Sequence, residues 1–259
     1  MTVVANILNY IEKIAPSYMA AEWDNVGLIV GRTDKEVQKV YVALDVTDEV
    51  IDAAIEMGAD MLITHHPLLF SPLKKITDEH FIGSRVVKLL QHDISYYAMH
   101  TNYDVCGMAD ISAAILGLDG AETLEVTDKE SMEGIGKVGD FSDPMSLQSC
   151  GEFIKEKFQL DSVKVFGDLS STVQRVAICP GSGKGMTELA LEKGADVFVT
   201  AEIDHHEGID AVAQGMAIID AGHYGLEHIF MEDIAGFLRA MQKDLEGFVA
   251  PKAHPFQLI

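Results

Sequence analysis

Apolar residues recur at helical spacing from Val3 to Ile14 and stop at Ala15-Pro16, so the chain is expected to open with an amphipathic helix. Trp23-Asp-Asn-Val-Gly-Leu-Ile-Val-Gly31 joins an Asn/Gly turn signal to a strand-like run, with Asp24 and Asn25 read as turn formers in preference to lip residues of a site. Val40 to Asp45 reads as a second strand, leading through an N-cap at Thr47 or Asp48 into a helix over Asp48 to Met57. Gly58 then separates that helix from a short apolar strand, Ala59 to Thr64, ended by His65-His66-Pro67. Strand, helix and strand in this order make a βαβ unit, which favours a parallel sheet with a right-handed crossover. A helix from about Ile82 to His92 and a strand over Ile94 to Met99 continue the alternation, giving an α/β lobe.

The second half resembles the first. Arg175 to Cys179 reads as a strand, Gly185 to Lys193 as a helix, and Gly194 to Thr200 as a glycine followed by a strand. Glu56-Met-Gly-Ala-Asp-Met-Leu-Ile-Thr64 and Glu192-Lys-Gly-Ala-Asp-Val-Phe-Val-Thr200 are identical at five of nine positions, and their other apolar residues match in kind. This reads as an internal duplication that places Thr64 and Thr200 at equivalent strand ends. The expected fold is α/β with two similar lobes, residues 1–125 and 126–259, joined through the acidic, glycine-rich stretch Gly120 to Gly139. A last helix, opening near Asp220 and running to about Met241, can return to the first lobe.

With 259 residues, 48% of them hydrophobic, the chain can bury one large core or two smaller ones. Nineteen Lys and Arg against 41 Asp and Glu give a net charge of −22, which argues against nucleic acid as a partner because phosphate neutralisation needs clustered cations. No stretch has the uninterrupted apolar length of a membrane span and the start lacks a signal pattern, so the expectation is a cytoplasmic protein with no membrane partner. Cys106, Cys150 and Cys179 are widely spaced and form no CxxC, which leaves imidazole and carboxylate as the available metal ligands.

Those ligand types gather at predicted strand ends. His65 and His66 close one strand, His100-Thr-Asn-Tyr-Asp104 follows another, and Asp220-Ala-Gly-His-Tyr-Gly-Leu-Glu-His228 follows a third apolar run. The carboxyl ends of parallel strands face the crevice where α/β proteins bind ligands. His223 and Glu227, four apart, share one face of the helix expected there. His65, His66, Asp104, His223 and Glu227 together exceed the ligand set of one four-coordinate zinc with an open position. They suit two divalent ions bridged by a carboxylate and a water or hydroxide, the arrangement with which metal-dependent hydrolases make hydroxide available at neutral pH. Zn, Mn, Fe, Co and Ni all accept such ligands.

Taken in order, Trp23-Asp-Asn-Val-Gly-Leu28, Thr64-His-His-Pro-Leu68, His100-Thr-Asn-Tyr-Asp104, Gly181-Ser-Gly183 and Gly222-His-Tyr-Gly-Leu-Glu227 resemble the NIF-three-like family, the GTP cyclohydrolase 1 type 2 homologs, over almost the whole chain. The resemblance implies two intertwined α/β lobes, a dinuclear metal site in the crevice between them and a toroidal homohexamer. It puts His65, His66, Asp104, His223 and Glu227 on the metal-ligand positions, and His100 and His206 close to the metals as acid/base candidates, with His205 exposed. Two positions depart from the pattern: Ala201 stands where the family has Gly, and Ala109 where Asn is common.

Gly181-Ser-Gly-Lys-Gly185 lacks Walker spacing and reads first as a connection, second as a phosphate cradle. The function expected is a dinuclear-metal hydrolase in which metal-bound hydroxide attacks a small, nucleotide-like substrate. The alternative is a metal-binding or regulatory hexamer without turnover.

Overall fold

The computed structural model describes residues 2–257. In chain order its elements are α1 (Val4–Ile14), β1 (Gly27–Val30), β2 (Lys39–Ala43), α2 (Asp48–Met57), β3 (Met61–Thr64), α3 (Phe81–Gln91), β4 (Ser95–Ala98), α4 (Thr101–Tyr103), α5 (Ala109–Leu116), β5 (Asp119–Asp128) and β6 (Glu133–Ser146). They continue with α6 (Leu147–Phe158), β7 (Lys164–Phe166), β8 (Thr172–Ile178), α7 (Met186–Glu192), β9 (Val197–Thr200), α8 (His205–Ala213), β10 (Ala217–Asp220), α9 (His223–Glu227), α10 (Ile229–Met241) and β11 (Glu246–Val249). Two compact units result: Met1–Tyr103 with Phe230–Ala253, and Asp104–Ile229 with His254–Ile259. None of the described helices is long and apolar enough to cross a membrane.

The first unit is built on a five-stranded sheet of order β1-β4-β3-β2-β11. β4, β3, β2 and β11 run parallel, and β1 is antiparallel on β4. Every residue of β3 and β4 is buried, as expected of parallel strands covered on both faces. Thr47 caps α2 by accepting the Val50 amide at 3.2 Å, and Gly58 ends it in the left-handed region at φ 69°, a conformation that costs glycine little. After α9 the chain returns to this unit, where α10 buries Phe230, Met231, Ile234, Ala235 and Leu238 and β11 pairs with β2.

The second unit holds a six-stranded sheet of order β5-β6-β8-β9-β10-β7, in which β8, β9 and β10 are parallel. Alternate residues feed two cores, one on each face. Val176, Ile178, Val197, Val199 and Ile219 join one, and Ala177, Phe198 and Ile218 join the other. The acidic stretch 120–139, expected as a connection, is instead most of an antiparallel β5–β6 hairpin. β5 is an edge strand in which Leu124 alone is fully buried, so its sequence carries little apolar signal.

The nine-residue repeat has a repeated structure. Gly58 and Gly194 are both left-handed, at φ 69° and 73°, and Asp60 and Asp196 do the same work in their own units. The Asp60 carboxylate accepts the amides of Gln38 and Lys39 at 2.9 and 3.0 Å, and that of Asp196 accepts Gln174 and Arg175 at 2.9 and 2.8 Å. Each pair of bonds lies just before the point where one strand begins to pair in parallel with the next. Beyond the far ends, the Met99 amide bonds to the Thr64 carbonyl and the Ala221 amide to that of Thr200. His66 and Glu202 therefore occupy matching positions just past their strands.

Candidate metal centre

In the first unit, His65 extends β3 and is fully buried, and His100 lies two residues past the neighbouring strand β4. A hydroxyl network fixes the turn that carries the adjacent imidazoles. Thr64 Oγ1 donates to the His66 carbonyl at 2.8 Å and lies 3.0 Å from the buried Tyr96 hydroxyl, which accepts the Leu68 amide at 2.8 Å. The rings of His65, His66 and His100 converge, with centroids 4.9, 5.2 and 5.6 Å apart, and one ligand nitrogen from each lies within 4.8 Å of the others.

Each of these rings has its Nδ1 held by an oxygen. His65 Nδ1 is 2.8 Å from the Met99 carbonyl, His66 Nδ1 is 2.7 Å from Asp45 Oδ1, and His100 Nδ1 is 2.9 Å from Asp24 Oδ1. A carbonyl or an ionised carboxylate can only accept, so Nδ1 carries the hydrogen and Nε2 is the nitrogen with ligand character. Acceptors of this kind orient histidine ligands and raise their basicity. The donor chemistry therefore fits a divalent transition metal.

Asp24 does more than form a turn. Its side chain is 0% exposed, and it also accepts the Thr101 amide at 3.0 Å and the Thr101 hydroxyl at 2.5 Å. Burial opposes ionisation, but the bonds from His100 and Thr101 outweigh it and hold the carboxyl well below the usual range. Asn25 Nδ2 donates to the Leu69 carbonyl at 2.6 Å, tying this loop to the one that follows Pro67.

In the second unit, His223 and Glu227 stand one turn apart on α9 with Nε2 and Oε2 3.0 Å from each other, and His223 Nδ1 is 3.1 Å from Glu202 Oε2. The hydrogen bond to Glu227 raises the imidazole to about 9; burial opposes the shift, and the Glu227 and Glu202 charges reinforce it. Carboxylates that favour a proton there also favour a divalent cation. Asp220, at the end of β10, accepts the amides of Glu202 and Gly222 at 3.2 and 3.0 Å and so sets both loops. Asp104 opens a wide π-type turn leading into α5, a feature frequent at functional positions. Burial, followed by the charges of Asp104, Glu227 and Glu125, pushes the Cys179 thiol up and so favours its protonated form.

Gly181 and Gly183 are dictated by packing. A Cβ on Gly181 would lie 2.8 Å from Glu227 Oε1, one on Gly183 would lie 1.8 Å from Thr200 Oγ1, and both residues have positive φ. The Gly-Ser-Gly turn thus has a structural reason to exist without a phosphate. His205 is exposed, and so is His206, which sits in the first turn of α8. The ring of His206 is 5.2 Å from that of His205. Ala201 and Ala109, the two departures from the family pattern, are both buried.

The residues singled out in the sequence are His65, His66, Asp104, His223 and Glu227 as ligands and His100 and His206 beside them. Asp45 and Glu202, which hold His66 and His223, are not among them, and Asp24, which holds His100, reads there as a turn former.

The family model for Duf34/NIF3 (NGG1p interacting factor 3) matches residues 2–255. A GTP cyclohydrolase 1 type 2 homolog from Clostridium perfringens is 34% identical over 258 residues, covering 98% of each chain. A hypothetical protein of Staphylococcus aureus superposes with a TM-score of 0.91 at 30% identity over 99% of both chains. A Bacillus cereus protein related to NIF3 does so with a TM-score of 0.92 at 26% identity, over 100% of this chain and 99% of its own. With the model spanning nearly every residue and the fold shared end to end, the chain belongs to the Duf34/NIF3 family.

Proposed function

We propose that this protein is a hydrolase dependent on two divalent metal ions per chain, acting on a small, nucleotide-like substrate. His65, His66, Asp104, His223 and Glu227 would hold the ions, and His100 and His206 would handle protons. The observation that carries the reading is the anchoring of Nδ1 in all three clustered imidazoles of the first unit, a preparation that packing alone does not require. Bound ions of this kind supply Lewis acidity, which makes water nucleophilic near neutral pH and offsets developing oxyanion charge.

The chain's own groups then have distinct tasks. His65 and His66 would present Nε2 to the ions. His100, with Nδ1 committed to Asp24, can take a proton on Nε2 and return it to a leaving group. Glu202 orients His223, and Gly181, with no Cβ, leaves room for the Glu227 carboxylate. The printed name of the Clostridium perfringens relative supports a guanine nucleotide as the first substrate to try. Family resemblance also supports a homohexamer.

Elemental analysis of the purified, saturated protein should find about two transition-metal ions per chain. The double substitution Asp104→Ala with Glu227→Ala should abolish that occupancy, and a value near zero in the unaltered protein would sink the proposal. Turnover is tested on metal-loaded protein over nucleotides, phosphoesters and cyclic amides, beside His66→Ala. Full metal occupancy with no metal-dependent turnover on any of them would favour a metal-binding or regulatory role.

A further inference from the structure

Two large aromatic side chains stand in solvent beside His100. Trp23 is 65% exposed and Phe70 is 53% exposed, yet both meet the same imidazole edge to face, at 5.8 Å and 73° and at 5.9 Å and 83°. Neither belongs to a loose segment. Trp23 immediately precedes Asp24, whose buried carboxylate takes bonds from His100 and Thr101, and Phe70 immediately follows Leu69, whose carbonyl is held by Asn25. The motif Trp23-Asp24-Asn25 therefore orients His100, ties down the second loop and carries one of two exposed rings.

An exposed tryptophan on a rigid loop forgoes the gain of burial, on the order of 25 cal/mol for each Å² left in water. Large, rigid, amphipathic rings in that position supply contact area at little entropic cost when a partner arrives. The partner has to sit against the imidazole cluster and offer π faces to an indole and a phenyl ring.

We propose that Trp23 and Phe70 are the specificity-determining walls of this centre, stacking on the base of the nucleotide-like substrate proposed above. The proposal rests on reading the His65, His66 and His100 cluster as part of a catalytic metal centre, and it adds which side chains of this chain hold the base there. The net charge of −22 is consistent with recognition through a ring in preference to a phosphate-binding surface.

The chain contains a single tryptophan, so indole fluorescence reports on Trp23 alone. Protein loaded with zinc, which is closed-shell and does not itself quench by paramagnetism, is excited at the red edge of indole absorption and titrated with guanosine, adenosine and ribose 5-phosphate. A saturable change with a nucleoside and none with ribose 5-phosphate is expected. Phe70→Ala should weaken nucleoside binding about tenfold, the scale of one lost base–aromatic stack. Trp23→Ala, followed by calorimetry, should do the same, and Trp23→Phe should restore most of the affinity.

Absence of any saturable change with either nucleoside, or an equal response to ribose 5-phosphate, would overturn the proposal. So would unchanged nucleoside binding in both alanine variants with a shift in sedimentation, which would make the two rings a contact between copies of the chain. These readouts need no turnover. Stacking without hydrolysis would remove the hydrolase reading and leave the ring site standing, and hydrolysis without stacking would do the reverse.

Discussion

Replacing Asp24 by Asn removes a charge and keeps the shape, which isolates what the carboxylate does. Because the folded-state pKa of Asp24 is depressed, its contribution is present above the unfolded carboxyl value near pH 4 and is lost as pH falls through the lower folded value. Asp24→Asn should therefore cost about 2 kcal/mol at pH 7, the worth of hydrogen bonds to a charged acceptor, and less at pH 3. Urea unfolding at the two pH values checks this, and an equal cost at both would contradict it. Asp45 is a different case, since half of its side chain is in solvent and its bond to His66 Nδ1 contributes little to folding. Asp45→Asn should leave the unfolding midpoint nearly unchanged and weaken metal binding by about tenfold or more, measured by competition with a chelator. The candidate ligands His65 and His66 stand out in the sequence because adjacent histidines before a proline are hard to assign to packing. Their supports do not, because a lone aspartate beside an Asn/Gly turn has the same local signature whether or not a distant imidazole folds onto it.

At the scale of elements, local rules were enough wherever they were strong. α2 runs from Asp48 to Met57 as its periodicity, threonine cap and terminal glycine require, and the helix-glycine-strand junction recurs with the same bonds around Asp60 and Asp196. That recurrence predicts similar costs from the amide bonds. Asp60→Ala and Asp196→Ala should each destabilise the chain by roughly 1 kcal/mol through those bonds, with Asp60→Ala losing somewhat more because its carboxylate also pairs with buried Lys35, and denaturant titration showing no loss for one of them would argue against the shared role. The hairpin β5–β6 escaped notice for the opposite reason. An edge strand with one fully buried side chain leaves a pattern of charges and glycines that also describes a connection, and its pairing becomes visible only in the partner strand. Glycines sort in the same way. Gly194→Ala meets nothing within 4 Å and should lose about 1 kcal/mol to its positive φ, whereas Gly183→Ala would drive a methyl into Thr200 and should lose several times as much. Thermal unfolding of the two variants would separate strain from collision.

For the whole molecule, the sequence identified the family and the α/β class through motifs spread from Trp23 to Glu227, but not which stretches of chain belong to which compact unit. Unit membership depends on where strands pair, and the pairing of β11 with β2 joins residues about 200 positions apart, which no local pattern records. Assembly belongs to this scale as well. Light scattering should give the mass of six chains, and a monomeric mass at micromolar concentration would remove the hexamer from the proposal.

The pairing of β2 with β11 also has a history in time. The second unit is inserted in the sequence of the first, so β2 is synthesised long before the strand that covers its edge. At about 5–20 residues per second, that edge stays open on the ribosome for roughly 10–40 s. Its unpaired amides and carbonyls are meanwhile available to other nascent chains. Lys39, at the first position of β2, puts a charge on that edge through the wait.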